Sequence, residues 1–170
     1  MEIRENASAQ ERLEFQLDML RKEIDIIDKA ISRLDEITQS IKNWTIGIWV
    51  GTLTLALGDP DLRRYFIFTA LVPLPFWILN ARWVSFLRGF IYRQDKIAEF
   101  LNSDLLLESF EKQKLVGINV LDPRGAQYRK TKDYQKTVNF WRSFMYPEHS
   151  VLFGGLSLLS LLIGGYFILF

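Results

Sequence analysis

The chain contains no cysteine, which excludes a disulfide framework, a thiolate metal site and a thiol nucleophile. Its only histidine, His149, follows Glu148 with no partnering Asp/His pattern, so no acid–base or metal-ligating constellation forms around it. We read His149 as a polar residue at a membrane edge. No P-loop, dinucleotide fingerprint, HExxH or GxSxG motif occurs. The polar start, Met1 to Gln10, lacks the apolar core of a cleavable signal peptide. Formal net charge is only +1, so no global field steers the chain toward nucleic acid. These absences lead us to expect a non-enzymatic protein with no cofactor and no bound metal.

Glycine and proline are missing from Ser8 to Asn43, so nothing there interrupts a helix. Leu13, Leu17, Leu20, Ile24, Ile27, Ile31, Leu34 and Ile41 step by three and four, with Thr38 the one polar interruption. That pattern is a heptad seam over about four heptads. A parallel homodimer with Leu17, Ile24 and Ile31 at a positions would oppose Glu23 and Asp28 of two copies, a repulsive pair. Phe15, Met19, Ile26 and Ile37 also widen the apolar surface. The seam is therefore expected to pack on another helix of the same chain or in a larger bundle.

Charge is missing from three stretches, 44–58, 65–79 and 151–170. Segments that are apolar all round point to lipid rather than to one buried face. The first two are short, roughly 22 Å each as helix, and the last is roughly 30 Å, close to the hydrocarbon thickness. Trp44 and Trp49 suit an interfacial level. Thr45, Thr52 and Thr54 are tolerable because each hydroxyl can bond back to its own helix. Between the first two stretches lies Gly58-Asp59-Pro60-Asp61. Gly58 permits a left-handed helix end, Asp59 can cap the next helix and Pro60 can start it. Together with Arg63 and Arg64 this makes a tight hairpin turn. The alternative, a charged pore mouth, is kept beside the capping and headgroup reading. Pro73 and Pro75 fall inside the second stretch and imply a kink there.

Beyond the second stretch, Arg82, Arg88, Arg93 and Lys96 face only Asp95, which marks the cytoplasmic side. The helical pattern continues to about Glu111, giving a second arm that would run antiparallel to the first as a stalk. Val116 to Leu121 is a short β-branched run ended by the turn Asp122-Pro123-Arg124-Gly125. Ala126 to Tyr146 is expected to be one helix, basic at first and aromatic at its end, stopped by Pro147. Its Arg129, Lys130 and Lys132 join Arg82, Arg88, Arg93 and Lys96 as candidate lipid-headgroup contacts. This reading is preferred to nucleic-acid binding, because no recognised module surrounds the basic stretch. In the last stretch, Gly154, Gly155, Ser157, Ser160, Gly164 and Gly165 form a small-residue face suited to helix–helix contact. Its partner helix is either the chain's own or a neighbour's.

The expected fold is thus an all-α membrane protein. It comprises a heptad helix over 8–43, a transmembrane hairpin over 44–80, a second stalk helix over 81–112, a cytoplasmic segment over 113–147 and a third, C-terminal transmembrane helix over 151–170. The N-terminus would be cytoplasmic and the C-terminus outside.

Ile41-Lys42-Asn43-Trp44 at the entry of the first span, Phe90-Ile91-Tyr92-Arg93, and Ile97-Ala98-Glu99-Phe100-Leu101-Asn102 after the second carry a resemblance. Over about residues 13–102 the chain resembles the bacterial two-span effector domains called SLATT, and also a family of bacterial membrane proteins. The third span departs from that two-span plan. The resemblance implies an inner-membrane protein that assembles into a homo-oligomer and acts as a pore-forming or channel-like effector in bacterial defence. The alternative is a structural or adaptor subunit that docks a cytoplasmic protein through its stalk. In both, membrane lipids are the immediate surroundings.

Overall fold

Helix is the only regular structure among the described residues. The computed structural model describes the backbone of residues 2–169 and the side chains of residues 9–169. Met1 and Phe170, the first residue of the polar start and the last of the expected third span, lie outside the described residues.

The uninterrupted N-terminal sequence forms one helix, α1, Glu2–Gly58, so the amphipathic arm and the first apolar stretch are a single element. Its end differs from expectation. Gly58 does not adopt the left-handed conformation, and the Asp59 N–H still donates to the Leu55 carbonyl at 3.1 Å. Asp59 then caps α2, Pro60–Arg63, accepting the Asp61 N–H at 2.9 Å, with Pro60 in the first turn. A 3₁₀ segment, Phe66–Leu71, follows. Next comes α3, Pro73–Leu101. The two prolines therefore do not kink a helix interior. Both sit in the first turn of α3, where backbone N–H groups have no helical partner to lose.

The second arm is not one helix to residue 112. α3 stops at Leu101, and α4 is Asp104–Glu111. Nor is 126–146 one helix. It divides into a 3₁₀ turn, Ala126–Tyr128, then α5, Lys132–Thr137, and α6, Phe140–Phe144. Side-chain caps set those breaks. Thr131 accepts the Tyr134 N–H, and Asn139 accepts the N–H groups of Trp141 and Arg142, as short polar residues do where a helix begins. Pro147 does not terminate a helix but begins one, α7, Pro147–His149. This leads through a π-helical turn, Ser150–Gly154, into α8, Gly155–Leu169.

The chain divides into two compact units: a first unit of Met1–Arg33 with Leu87–Val138, and a second of Leu34–Phe86 with Asn139–Phe170. In the first, Leu20 and Ile27 of the seam pack with Ile97, Phe100 and Ile118, flanked by Ile24, Ile31 and Leu115. The seam thus has its partner within the chain. In the second, Gly164 lies against the backbone of Ile67, and Gly154 lies against Trp77. These contacts are ten residues apart on each segment and in opposite chain directions, so the last helix runs antiparallel to the segment from Ile67 to Trp77. Two stretches, Phe66–Leu101 and Lys132–Leu169, contain helix long and apolar enough to cross a membrane.

Candidate functional site

Two constellations stand out, one in each unit. The second unit buries polar side chains beside its apolar ones and exposes many apolar ones. Thr45, Asn80, Ser85, Ser143 and Ser160 are buried, whereas Leu55, Phe68, Leu71, Val151, Leu162 and Leu169 are exposed. Buried hydroxyls are mostly turned onto their own backbone: Thr45 donates to the Ile41 carbonyl at 2.7 Å, and Ser143 donates to that of Asn139 at 3.1 Å. Asn80 is 0% exposed, and neither end of its amide finds a partner. So much exposed apolar side chain, with polar groups buried beneath it, is the informative departure from a water-soluble surface.

The small-residue face of the last helix has its answer in this unit. Gly164 is the tight point, because a Cβ there would stand 2.6 Å from the Ile67 Cα. Ser160 accepts the Trp49 indole N–H at 2.7 Å and itself donates to the Leu156 carbonyl. Gly154 faces Trp77, while Gly155 and Gly165 face open space. Ser157 is half-buried, and its hydroxyl has no partner. The contact is therefore within the chain and uses part of the expected face. Phe66 packs edge-on between Trp49 and Phe167. Trp77 stacks on Phe144 at 4.3 Å and donates its indole N–H to that residue's carbonyl at 2.8 Å. His149 is buried beside the Tyr146 ring rather than lying at an exposed edge.

At the hairpin turn, the Asp59 carboxylate accepts the Asp61 backbone N–H, and Arg63 donates to the Leu57 carbonyl. Arg63 also lies over the Phe167 ring, and Arg64 over that of Tyr65. A face that sequence reasoning missed lies on α1. Ser40, Asn43, Gly47, Gly51, Thr54 and Gly58 are all exposed, and a Cβ added at any of the three glycines would meet nothing. The four-residue spacing of Gly47 and Gly51 was the available signal.

In the first unit the notable constellation is a buried ion pair. Arg93 was grouped with the headgroup contacts, and this is corrected: it is 0% exposed, and its Nε donates to Oε1 of Glu23, also 0% exposed, at 2.7 Å. Glu23 Oε2 accepts the Leu121 N–H at 2.7 Å, and Arg93 Nη2 donates to the Asn119 carbonyl. One heptad earlier on α1, Gln16 accepts the Leu115 N–H at 3.0 Å. The segment 115–121 is therefore irregular chain whose amides are taken up by helix side chains instead of by a sheet. Leu121 is held at φ +59, a left-handed conformation that costs a non-glycine residue about 1–2 kcal/mol. The following turn behaves as its sequence implies: Gly125 takes φ +64, and the Asp122 carboxylate accepts the N–H groups of Ala126 and Gln127. Sequence reasoning missed the ion pair because Glu23 reads as an ordinary flank of the seam.

The other basic residues divide. Arg82, Arg129, Lys130 and Lys132 are exposed. Arg82 lies over the Phe86 ring. Arg88 is half-buried. Lys96 is half-buried and paired with Glu99 at 2.6 Å. Of the seam, Leu13, Leu20, Ile27, Leu34 and Ile41 are buried, and Leu17, Ile24 and Ile31 are half-buried. Among the described residues no cluster of three or more His, Asp or Glu side chains is placed to hold a metal ion. Comparison with family models, curated proteins and solved structures returned no match to this chain.

Proposed function

We propose that this chain is a non-enzymatic integral membrane protein of the bacterial inner membrane that self-associates into a pore- or channel-like assembly, as its resemblance to SLATT effector domains implies. The observation that carries the membrane part is the exposed apolar surface of the second unit. Most of the apolar part of Phe66–Leu101 and of Lys132–Leu169 is exposed. A core helix of a water-soluble protein would be mostly buried, so the exposed remainder calls for lipid. The 15 uncharged residues of 44–58 serve as the first of three spans, with 65–79 and 151–170 as the others. The basic cluster after the second span sets the N-terminus in the cytoplasm and the C-terminus outside. The outward small-residue face of α1 supports contact between copies, since small side chains let helices approach closely in lipid.

The adaptor reading is favoured by a different observation. The heptad seam and Gly164, two features that suggest self-association in the sequence, are both occupied within the chain. The first unit then serves as a self-contained module for a cytoplasmic partner. Mass measurement in nanodiscs and ion flux from liposomes separate the two readings. A closed ring of several copies with flux supports the pore, and a sealed monomer supports the adaptor. Release of the chain by alkaline carbonate wash would end both.

A further inference from the structure

The first unit contains a groove of about 500 Å³ that neither reading uses. One wall is a face of α3, where Tyr92, Lys96, Glu99 and Phe100 recur at helical spacing. Ile118 lies in the irregular segment across from it, and Tyr128 and Asp133 close the other side. Tyr92 and Phe100 are buried, whereas Glu99 and Asp133 are exposed at the rim. The rings of Tyr92 and Tyr128 meet edge to face at 5.8 Å.

The chain itself demonstrates what this surface holds. The Lys96 ammonium stands 5.4 Å from the Tyr92 ring centroid and 2.6 Å from Glu99 Oε2. An ammonium over an aromatic face and against a carboxylate is a favourable pairing when partly desolvated. The lining carries a second carboxylate, Asp133, for which no cation stands within ion-pair distance among the described residues. Two carboxylates against one ammonium, over aromatic and aliphatic walls, suit a cation rather than an anion. The exposed Arg129, Lys130 and Lys132 do not line the groove.

We propose that this groove binds a primary ammonium carried on a short aliphatic body. The charge sits at Asp133 beside the Tyr92 and Tyr128 rings, and the methylenes lie on Phe100 and Ile118. The binding site is independent of the membrane role proposed above. Lys96 is its internal competitor, occupying the aromatic face and neutralising Glu99.

The test is calorimetric titration of the full chain in detergent with 1,5-diaminopentane, with Nα-acetyl-lysine methylamide, and with 1-pentanol as an uncharged control. The expected result is saturable binding of at least one amine, ten times tighter or more than 1-pentanol. Asp133→Asn should weaken it at least tenfold, and Lys96→Met should strengthen it severalfold by removing the competing ammonium. A purely structural role for these side chains would not produce the second effect. Binding of the diamine alone identifies a free amine as the ligand, and binding of the lysine derivative alone identifies a lysine side chain of a partner protein. Either supports the site. The proposal is overturned if neither amine binds the native chain or the Lys96→Met variant, if Asp133→Asn leaves binding unchanged, or if Lys96→Met weakens it.

Discussion

Replacing Arg93 by methionine strands the Glu23 carboxylate in an interior where both side chains are fully shielded from water. Breaking one partner of such a pair costs about 3–5 kcal/mol, because the charge that remains keeps its desolvation penalty without its counterion. Two neighbours should feel the change directly. The Asn119 carbonyl loses its donor, and the Leu121 N–H is left bonded to a carboxylate without its counterion. The lost anchor at Asn119 lies two residues before Leu121, which is held at φ +59. The opening should therefore begin in segment 115–121, and amide hydrogen exchange read by mass spectrometry is the suitable assay. At about 1.4 kcal/mol per decade, the expected loss of protection there is about a hundredfold to a few thousandfold. The double variant Glu23→Met/Arg93→Met removes both charges and should recover the part of the loss that the stranded charge causes, while the Leu121 N–H and the Asn119 carbonyl still lack their side-chain partners. If the single variant changes exchange by less than tenfold, or if the double variant is as open as the single, the pair is not the clamp described above.

Two further outcomes test the second unit. Gly164→Ala should destabilise the chain by about 1–3 kcal/mol, as overpacking does, because its Cβ would meet the Ile67 backbone at 2.6–2.8 Å; Gly155→Ala and Gly165→Ala, with open space around them, should be neutral or mildly stabilising in the same thermal unfolding series. Asn80→Leu should raise thermal stability by about 1–3 kcal/mol, since an apolar side chain replaces a buried amide with no partner; a fall in melting temperature would mean that the amide is satisfied in the membrane-embedded protein.

Much of the helical organisation was legible because it depends on local periodicity. The seam from Leu13 to Ile41 is a repeated spacing, and its most buried members, Leu13, Leu20, Ile27, Leu34 and Ile41, recur every seven residues. The hairpin cap at Asp59 and the left-handed Gly125 follow from the chemistry of single residues. The failures share another cause. Pro73, Pro75 and Pro147 were placed within or at the end of helices but lie at helix starts, because proline is compatible with a first turn as well as with a break. The division of 126–146 by Thr131 and Asn139 was equally open in sequence, since both residue types serve in helices and as caps.

Composition and period act residue by residue, and they account for the helical structure of the described residues, the absence of thiol chemistry and the long uncharged stretches. Which surfaces are already used follows from the packing of the folded chain. That packing sets Glu23 against Arg93 across 70 residues of chain, places Gly164 on Ile67, and leaves Gly47, Gly51 and Gly58 facing outward. Such pairings depend on which faces meet once the chain turns back on itself, and no local pattern encodes that choice.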